Sequence, residues 1–319
     1  MKIDDLKFDL VAPPVDEENF DLDRWRKESP MDYWKALYMI LHVDLLCKDM
    51  PLDVAQKTAF WEIFQITRLY IPNTLYKYYS LTDNIALNET KLQTLQDCQI
   101  YMSDIKDFND PFDGKAFFYN PEELKHIDRL SAHEGRLIDD FTSFNKGTAF
   151  TENGVNCMPM WAHYSNNHRG FCVAYDMKDP NNNAMYSCTF PIQYTNERLD
   201  ITSLMKKYAQ TLVDEMKRQT SEGKKQIEIT DYSLIYISTY LSNIKHISWQ
   251  YEKEFRCMMG ATAKGMPYVK AVPKAIYIGM RCMQTYEERL RKIGALLQIP
   301  VHKMSFDDCS EEFNLKVSE

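Results

Sequence analysis

Glycine is scarce, with ten residues in a chain of 319. None of them forms G-x-G-x-x-G or G-x-x-x-x-G-K-[ST], so neither a dinucleotide-binding Rossmann turn nor a phosphate-cradling P-loop is signalled. H-E-x-x-H and G-x-S-x-G are absent as well. Cysteines stand singly at 47, 98, 157, 172, 188, 257, 282 and 309 with no C-x-x-C pair, and the seven histidines are dispersed, so no metal site is expected. Cys172 and Cys257 lie inside apolar runs and read as small core residues in a reducing cytosol. No apolar run approaches the roughly 20 residues of a membrane span, and Met1-Lys2-Ile3-Asp4-Asp5 turns acidic at once instead of opening a signal peptide. The expectation is a soluble, cytoplasmic protein without a membrane partner. A net charge of -8 argues against nonspecific nucleic-acid binding through a basic surface and leaves a local basic groove open.

What is present is a globular composition, 45% hydrophobic and 26% charged. Polar residues with Pro13-Pro14 form an N-terminal arm, after which Ser29-Pro30-Met31-Asp32 predicts a helix start with Ser29 as N-cap. Tyr33, Trp34, Leu37, Ile40, Leu41 and Leu45 give that helix an apolar face, and Phe60, Trp61, Phe64 and Ile66 do so for a second helix over about 52–70. Residues 1–72 are therefore assigned to an arm and a helical hairpin that covers a flank of the main domain or makes a homodimer contact, and residues 73–319 to an α/β domain.

In that domain Leu75-Tyr76-Lys77-Tyr78-Tyr79 predicts a strand, 84–97 a helix capped by Asp83, and Ile100–Ser103 a second strand. Further strands are expected at 147–151, 171–175, 189–194 (an edge, since Pro191 cannot donate), 251–259, 275–279 and 301–304. Helices are expected over about 121–144, from Leu204 to near Gly223, around Leu234–Ile244, and over about 284–297. The fold class is α/β (α+β): a mixed β-sheet core with surrounding helices plus the N-terminal helical hairpin.

The stretch Met160-Trp161-Ala162-His163-Tyr164-Ser165-Asn166-Asn167-His168-Arg169-Gly170 runs directly into Phe171–Tyr175. Large half-polar side chains delivered onto a sheet can line a cleft. Trp161 and Tyr164, three apart, can equally share a helix face as core. On a strand of period two, Glu252, Glu254 and Arg256 point to one face, with the arginine favouring the ionised carboxylates. That reads either as a carboxylate held in a cleft or as a solvated face with a surface ion pair. Asp110 and Asp113, in Phe108-Asn109-Asp110-Pro111-Phe112-Asp113, permit a metal or general-acid role or simple turn formation.

Leu75–Tyr78, Phe108–Asp113, Met160–Tyr164 with His168 and Gly170, Tyr251–Arg256 and Pro273–Gly279 resemble, in order and spacing, the bacterial domain-of-unknown-function 2971 family over about residues 74–305. A second resemblance is to ADP-ribosyltransferases. Leu75-Tyr76-Lys77 is similar to their opening L-Y-H strand, Phe150–Tyr164 to their central aromatic segment, and Glu252-x-Glu254 to their late E-x-E. That resemblance implies an ADP-ribosyltransferase-like fold and NAD as the cofactor. Tyr76, Lys77, Trp161, His163 and Arg256 would be cofactor-binding, and Glu254, Glu252 and Tyr164 catalytic. Lys77 stands where this class has His or Arg and offers a point charge without a planar fork. The implied function is ADP-ribosyl transfer to a protein or nucleic-acid acceptor, or NAD hydrolysis, in a toxin or phage-defence setting. Two rivals remain open: a metal-dependent nuclease using Asp110, Asp113, Glu252 and Glu254, and a non-catalytic nucleotide- or peptide-binding module.

Overall fold

The computed structural model describes residues 1–6, 21–43, 49–128, 130–138, 140–228, 231–260 and 267–318. Most of the expected N-terminal arm, and Leu45 of the first expected helix, lie outside these residues. Two compact units alternate along the chain. One comprises Met1–Tyr70, Asp104–Asn145 and Gln193–Ile247, the other Ile71–Ser103, Lys146–Ile192 and Ser248–Glu319. Among the described residues no helix is long and apolar enough to cross a membrane.

The first unit is mainly helical. Its helix Tyr33–Leu41 is capped by Asp32, whose carboxylate accepts from the backbone N–H of Trp34 and Lys35 at 3.0 and 3.4 Å. This corrects the expected cap at Ser29, which instead closes the preceding helix Leu22–Glu28 by donating its N–H to Trp25 O at 2.8 Å. The helix Leu52–Arg68 buries Ala55, Gln56, Ala59, Ile63 and Thr67 and leaves Trp61 54% exposed. Of the expected aromatic stripe, Trp61 and Ile66 are exposed, whereas Phe60 is half-buried and stacks on Tyr236 at 4.6 Å. Among the described residues of 121–144 the expected α-helix is not formed; they make three 3-10 turns, Pro121–Leu124, Ser131–His133 and Phe141–Phe144. Glu134 and Gly135 at φ +51° and +75° break any continuous run, although Leu124, Ile127 and Leu130 are still buried.

The second unit is built on a mixed sheet. Its strands are β1 (Thr74–Tyr79), β2 (Asn145–Thr151), β3 (Phe171–Asp176), β4 (Thr189–Pro191), β5 (Glu254–Gly260), β6 (Pro273–Ile278), β7 (Val301–Phe306) and β8 (Leu315–Ser318). The spatial order is β8-β7-β6-β3-β1-β2-β5-β4. The pair β6/β7 is parallel and joined by a helix, α3 (Gln284–Leu297), whereas β1/β2, β1/β3, β3/β6, β4/β5 and β7/β8 are antiparallel. Pro191 lies on the edge strand, where its missing N–H costs nothing. The segment Gln99–Tyr101 does not enter this sheet but pairs with Tyr268–Lys270 in a ladder of its own. That ladder's second strand and β8 had no counterpart among the sequence expectations.

Alternation along β1 divides its side chains between two cores. Leu75 and Tyr79 join Phe150, Val173, Phe255 and Ile276, with Leu92 of α1 (Ile85–Gln96) and Leu290 of α3. Tyr76 and Tyr78 pack on the other face with Met160, Trp161, Cys172 and Met304. A helix, α2 (Met158–Tyr164), lies on this second face. Trp161 meets Tyr78 edge-on at 5.0 Å, and its indole N–H donates to Val155 O at 2.7 Å. After α2 the chain reverses through Asn166, Asn167 and His168, at φ +51°, +55° and +66°. Gly170 then passes so close to β1 that an added Cβ would stand 1.9 Å from Tyr79 O. Gly170→Ala is therefore expected to lower stability by about 1–3 kcal/mol, read as a lower urea midpoint at unchanged m-value.

Candidate active site

The chain enters β5 through a 3-10 helix, Ile247–Glu252, and a single residue, Lys253, at φ +44°. A left-handed φ is costly for a side chain with a Cβ. Here Lys253 is fixed from both sides: its N–H donates to Gln250 O at 3.2 Å and its carbonyl accepts from Glu152 N at 3.3 Å. The expectation of one continuous strand over 251–259 is thereby corrected. Glu252 ends the 3-10 helix and Glu254 begins the strand, so the two acids are not successive members of one strand face.

The kink gives the two carboxylates different partners. Glu252 is only 3% exposed, and the Tyr164 hydroxyl donates to its Oε1. The Glu252 backbone carbonyl accepts from Thr151 Oγ1 at 2.5 Å, and the same hydroxyl oxygen accepts from Asn153 N at 3.0 Å. Asn153 Nδ2 donates to Tyr251 O at 2.6 Å. Thr151, at the end of β2, thus ties the acid to the Asn153-Gly154 turn. Tyr78 donates its hydroxyl to Gly154 O at 2.6 Å, and the Tyr76 ring lies beside Gly154. Burial raises the pKa of Tyr76. At the rim, the exposed His163 ring stands 6.3 Å from Tyr251, itself 38% exposed, and 6.4 Å from Tyr164.

Glu254 and Arg256, two apart on β5, point to one face in the expected way. Arg256 Nε donates to Glu254 Oε1 at 2.6 Å, with Nη2 3.4 Å from Oε2. Their exposures are 0% for Arg256 and 4% for Glu254, so the surface ion pair allowed by the sequence is instead a buried one. Since Phe255 and Cys257 belong to the first core, alternation turns Glu254 and Arg256 to the face that carries Trp161 and Tyr76.

Lys77 goes the other way. It alternates with Tyr76 and Tyr78, and its ammonium lies over the rings of Tyr79 at 5.4 Å and Phe150 at 5.9 Å, on the first face. Trp161 is fully buried, so its ring acts as core. Asp110 and Asp113 fall in the first unit, where Asp110 accepts from Phe112 N at 2.9 Å and the Asp113 N–H closes onto Asp110 O at 3.0 Å, a turn held by its own side chain. Among the described residues, no group of three or more His, Cys, Asp or Glu could hold a metal ion.

Tyr164, Glu252, Glu254, Arg256, Tyr76, Trp161 and His163 thus belong to one face or its rim, and Lys77 to the opposite face. Thr151, Asn153 and the turn at Lys253 were missed. Asn153-Gly154 carried a readable turn signal, whereas nothing in the residue type of Lys253 announces a left-handed backbone.

Residues 160–257 match a family described as "Protein of unknown function (DUF2971)". The match begins within α2, at Met160, takes in the Asn166–Gly170 reversal and Tyr251–Arg256, and leaves out Leu75–Tyr78, Phe108–Asp113 and Pro273–Gly279. No curated protein and no solved structure matches the chain, so the likeness to ADP-ribosyltransferases rests on its residues alone.

Breaking a buried ion pair from one side strands a charge, at about 3–5 kcal/mol. Arg256→Met is expected to cost that much, and the double variant Glu254→Met/Arg256→Met to recover most of it, in a double-mutant cycle by chemical denaturation. At the kink, Lys253→Val should destabilise by about 1–2 kcal/mol while Lys253→Gly does not.

Proposed function

We propose that the Tyr164–Glu252 site cleaves the N-glycosidic bond of NAD and passes the ADP-ribosyl group to a macromolecule or to water. The observation that supports this is a buried carboxylate, Glu252, hydrogen-bonded by a half-buried phenol at the edge of an exposed aromatic and imidazole rim. As the bond breaks, its electron pair goes to the nicotinamide nitrogen, which loses its formal positive charge. Positive charge grows on the ribose ring carbon and oxygen until a nucleophile adds. A carboxylate fixed in a dry site stabilises such charge as oxyanion-hole donors stabilise the opposite sign.

Of the two acids, the geometry favours Glu252. Glu254 already shares its charge with Arg256 in a buried pair, and such a pair is better suited to holding the strand than to meeting a developing cation. The Tyr164 hydroxyl orients Glu252, and the rings of Tyr251 and His163 offer flat surfaces for a nicotinamide or adenine. Lys77 has no part in this reading, because its strand turns it to the opposite face.

The test is release of nicotinamide from labelled NAD, alone and with protein or nucleic-acid acceptors. Wild type is expected to turn over, Glu252→Gln to lose at least about 100-fold, and Tyr164→Phe to lose less. Inert wild type across all acceptors removes the proposal. A thermal shift with NAD but no turnover replaces it with a nucleotide-binding module.

A further inference from the structure

The hairpin that joins β7 to β8 reads Phe306-Asp307-Asp308-Cys309-Ser310-Glu311-Glu312-Phe313-Asn314, with acids and no basic residue between its two phenylalanines. Its own hydrogen bonds fix the loop. The Asp307 N–H donates to Asn314 O at 3.1 Å, the Ser310 N–H to Asp307 O at 3.2 Å, and the Glu312 N–H and Asn314 Nδ2 both donate to Ser310 Oγ at 3.1 Å. Both rings are nevertheless held in water, Phe306 57% and Phe313 91% exposed, and neither meets another aromatic ring among the described residues. Phe306 stands opposite Leu315 in the β7/β8 ladder and two residues beyond Met304 of the second core, so both side chains turn to the face that carries α2. There, with Phe313 and with Met158 at the start of α2, they line a cavity of about 280 Å³.

That volume falls just short of the roughly 300–1,000 Å³ of pockets that take a whole drug-sized ligand, and it suits one anchoring side chain of a larger partner. The acids decide the partner's charge. Asp307, Asp308, Glu311 and Glu312 also line the cavity, no basic side chain does, and none of the four forms an ion pair among the described residues. Uncompensated negative charge beside exposed apolar rings repels nucleic acid and a second copy of this chain, whose net charge is -8, and attracts a cationic polypeptide. We propose that this groove docks a basic segment of another protein: one leucine or aromatic side chain enters among Met158, Phe306 and Phe313, and flanking Lys or Arg residues meet the four carboxylates. A loop already fixed by its own hydrogen bonds loses little freedom on binding, which lowers the ordering cost of such a complex.

The test is fluorescence anisotropy of the full chain with short labelled peptides in which Leu, Phe or Trp is flanked by Lys and Arg, beside versions with Ala at the anchor or Glu for every Lys and Arg. At least one anchored basic peptide is expected to bind at least about 10-fold more tightly than its Ala version and to weaken by about 10-fold or more between low salt and about 0.3 M salt, while the acidic version does not bind. Phe313→Ser removes a ring that lies almost wholly in water, so the fold does not depend on it, and should lower affinity at least about 10-fold. Asp308→Lys/Glu311→Lys should do the same and flatten the salt dependence. The same reversal at two exposed acids outside the hairpin, Asp83→Lys/Glu288→Lys, should change affinity by less than about 3-fold. No binding by any anchored basic peptide, equal binding by the Ala version, or equal losses from the two reversal pairs would overturn the proposal. Displacement of the peptide by spermine at equal total charge would overturn the protein partner in favour of a small polycation. None of these measurements involves NAD turnover, so they stand or fall apart from the proposed reaction.

Discussion

An arginine with no solvent contact keeps its charge only where a carboxylate is fixed beside it, because desolvating each ion costs several kcal/mol. Arg256 meets that condition two residues along its own strand, where a period of two aims Glu254 at the same face and the guanidinium fork can reach both carboxylate oxygens. The pair constrains everything before it in the chain. Residue 254 must enter the strand with its side chain inward, so the 3-10 turn that delivers it has to end at Glu252 and the direction change falls on Lys253. Backbone strain at one surface residue is offset by a buried ion pair with good geometry and by the hydrogen bonds that hold Lys253 from both sides.

A second consequence is a division of labour between the faces of one sheet. β1 sends Tyr76 and Tyr78 toward α2 and sends Lys77 toward the core that includes α1 and α3. Adjacent residues in the sequence are therefore in different chemical environments: a phenol in the Trp161 layer and an amine on aromatic rings in the layer behind. A motif such as Leu75-Tyr76-Lys77 looks like one unit when written as letters. On a strand it cannot serve one site, since consecutive side chains diverge.

How much of this could be read in advance follows from which forces are local. Strands β1, β3, β6 and β7 and helix α3 were legible because β-branched, aromatic or helically spaced apolar runs bounded by turn residues are local signals. The run over 121–144 has the spacing of Leu124, Ile127 and Leu130 that a helix would have. Three 3-10 turns bury those residues as well, and the decision falls to Gly135, whose added Cβ would stand 1.9 Å from Pro121 O. Helix Leu52–Arg68 was correct in extent and only partly so in facing: Phe60 packs on Tyr236 and Tyr240, distant in sequence, while Trp61 and Ile66 are exposed and Ala55, Ala59 and Ile63 are buried. At the site, residue identities were legible and their grouping was not. Glu252-x-Glu254 looked like one carboxylate pair on a strand face, whereas the backbone of Lys253 places Glu252 in the 3-10 helix and Glu254 in β5.

Those two partnerships carry different chemical meaning. A carboxylate bonded to a guanidinium has its negative charge compensated in place and gains little from a second cation. A phenol hydroxyl that donates to a carboxylate fixes the direction in which that acid points, and in a site with little water electrostatic interactions act strongly. Both members of each pair lie within residues 160–257, the segment that matches a family whose description carries no activity. Thr151, which anchors Glu252 through the backbone, and Lys77 lie outside it. The segment thus contains the charged groups themselves, while part of their positioning comes from β2. A chemical role for Glu252 accordingly depends on the hydroxyl of Tyr164 and on the carbonyl contact with Thr151 together: the first sets the direction of the charge, the second keeps the 3-10 turn from letting it rotate into water.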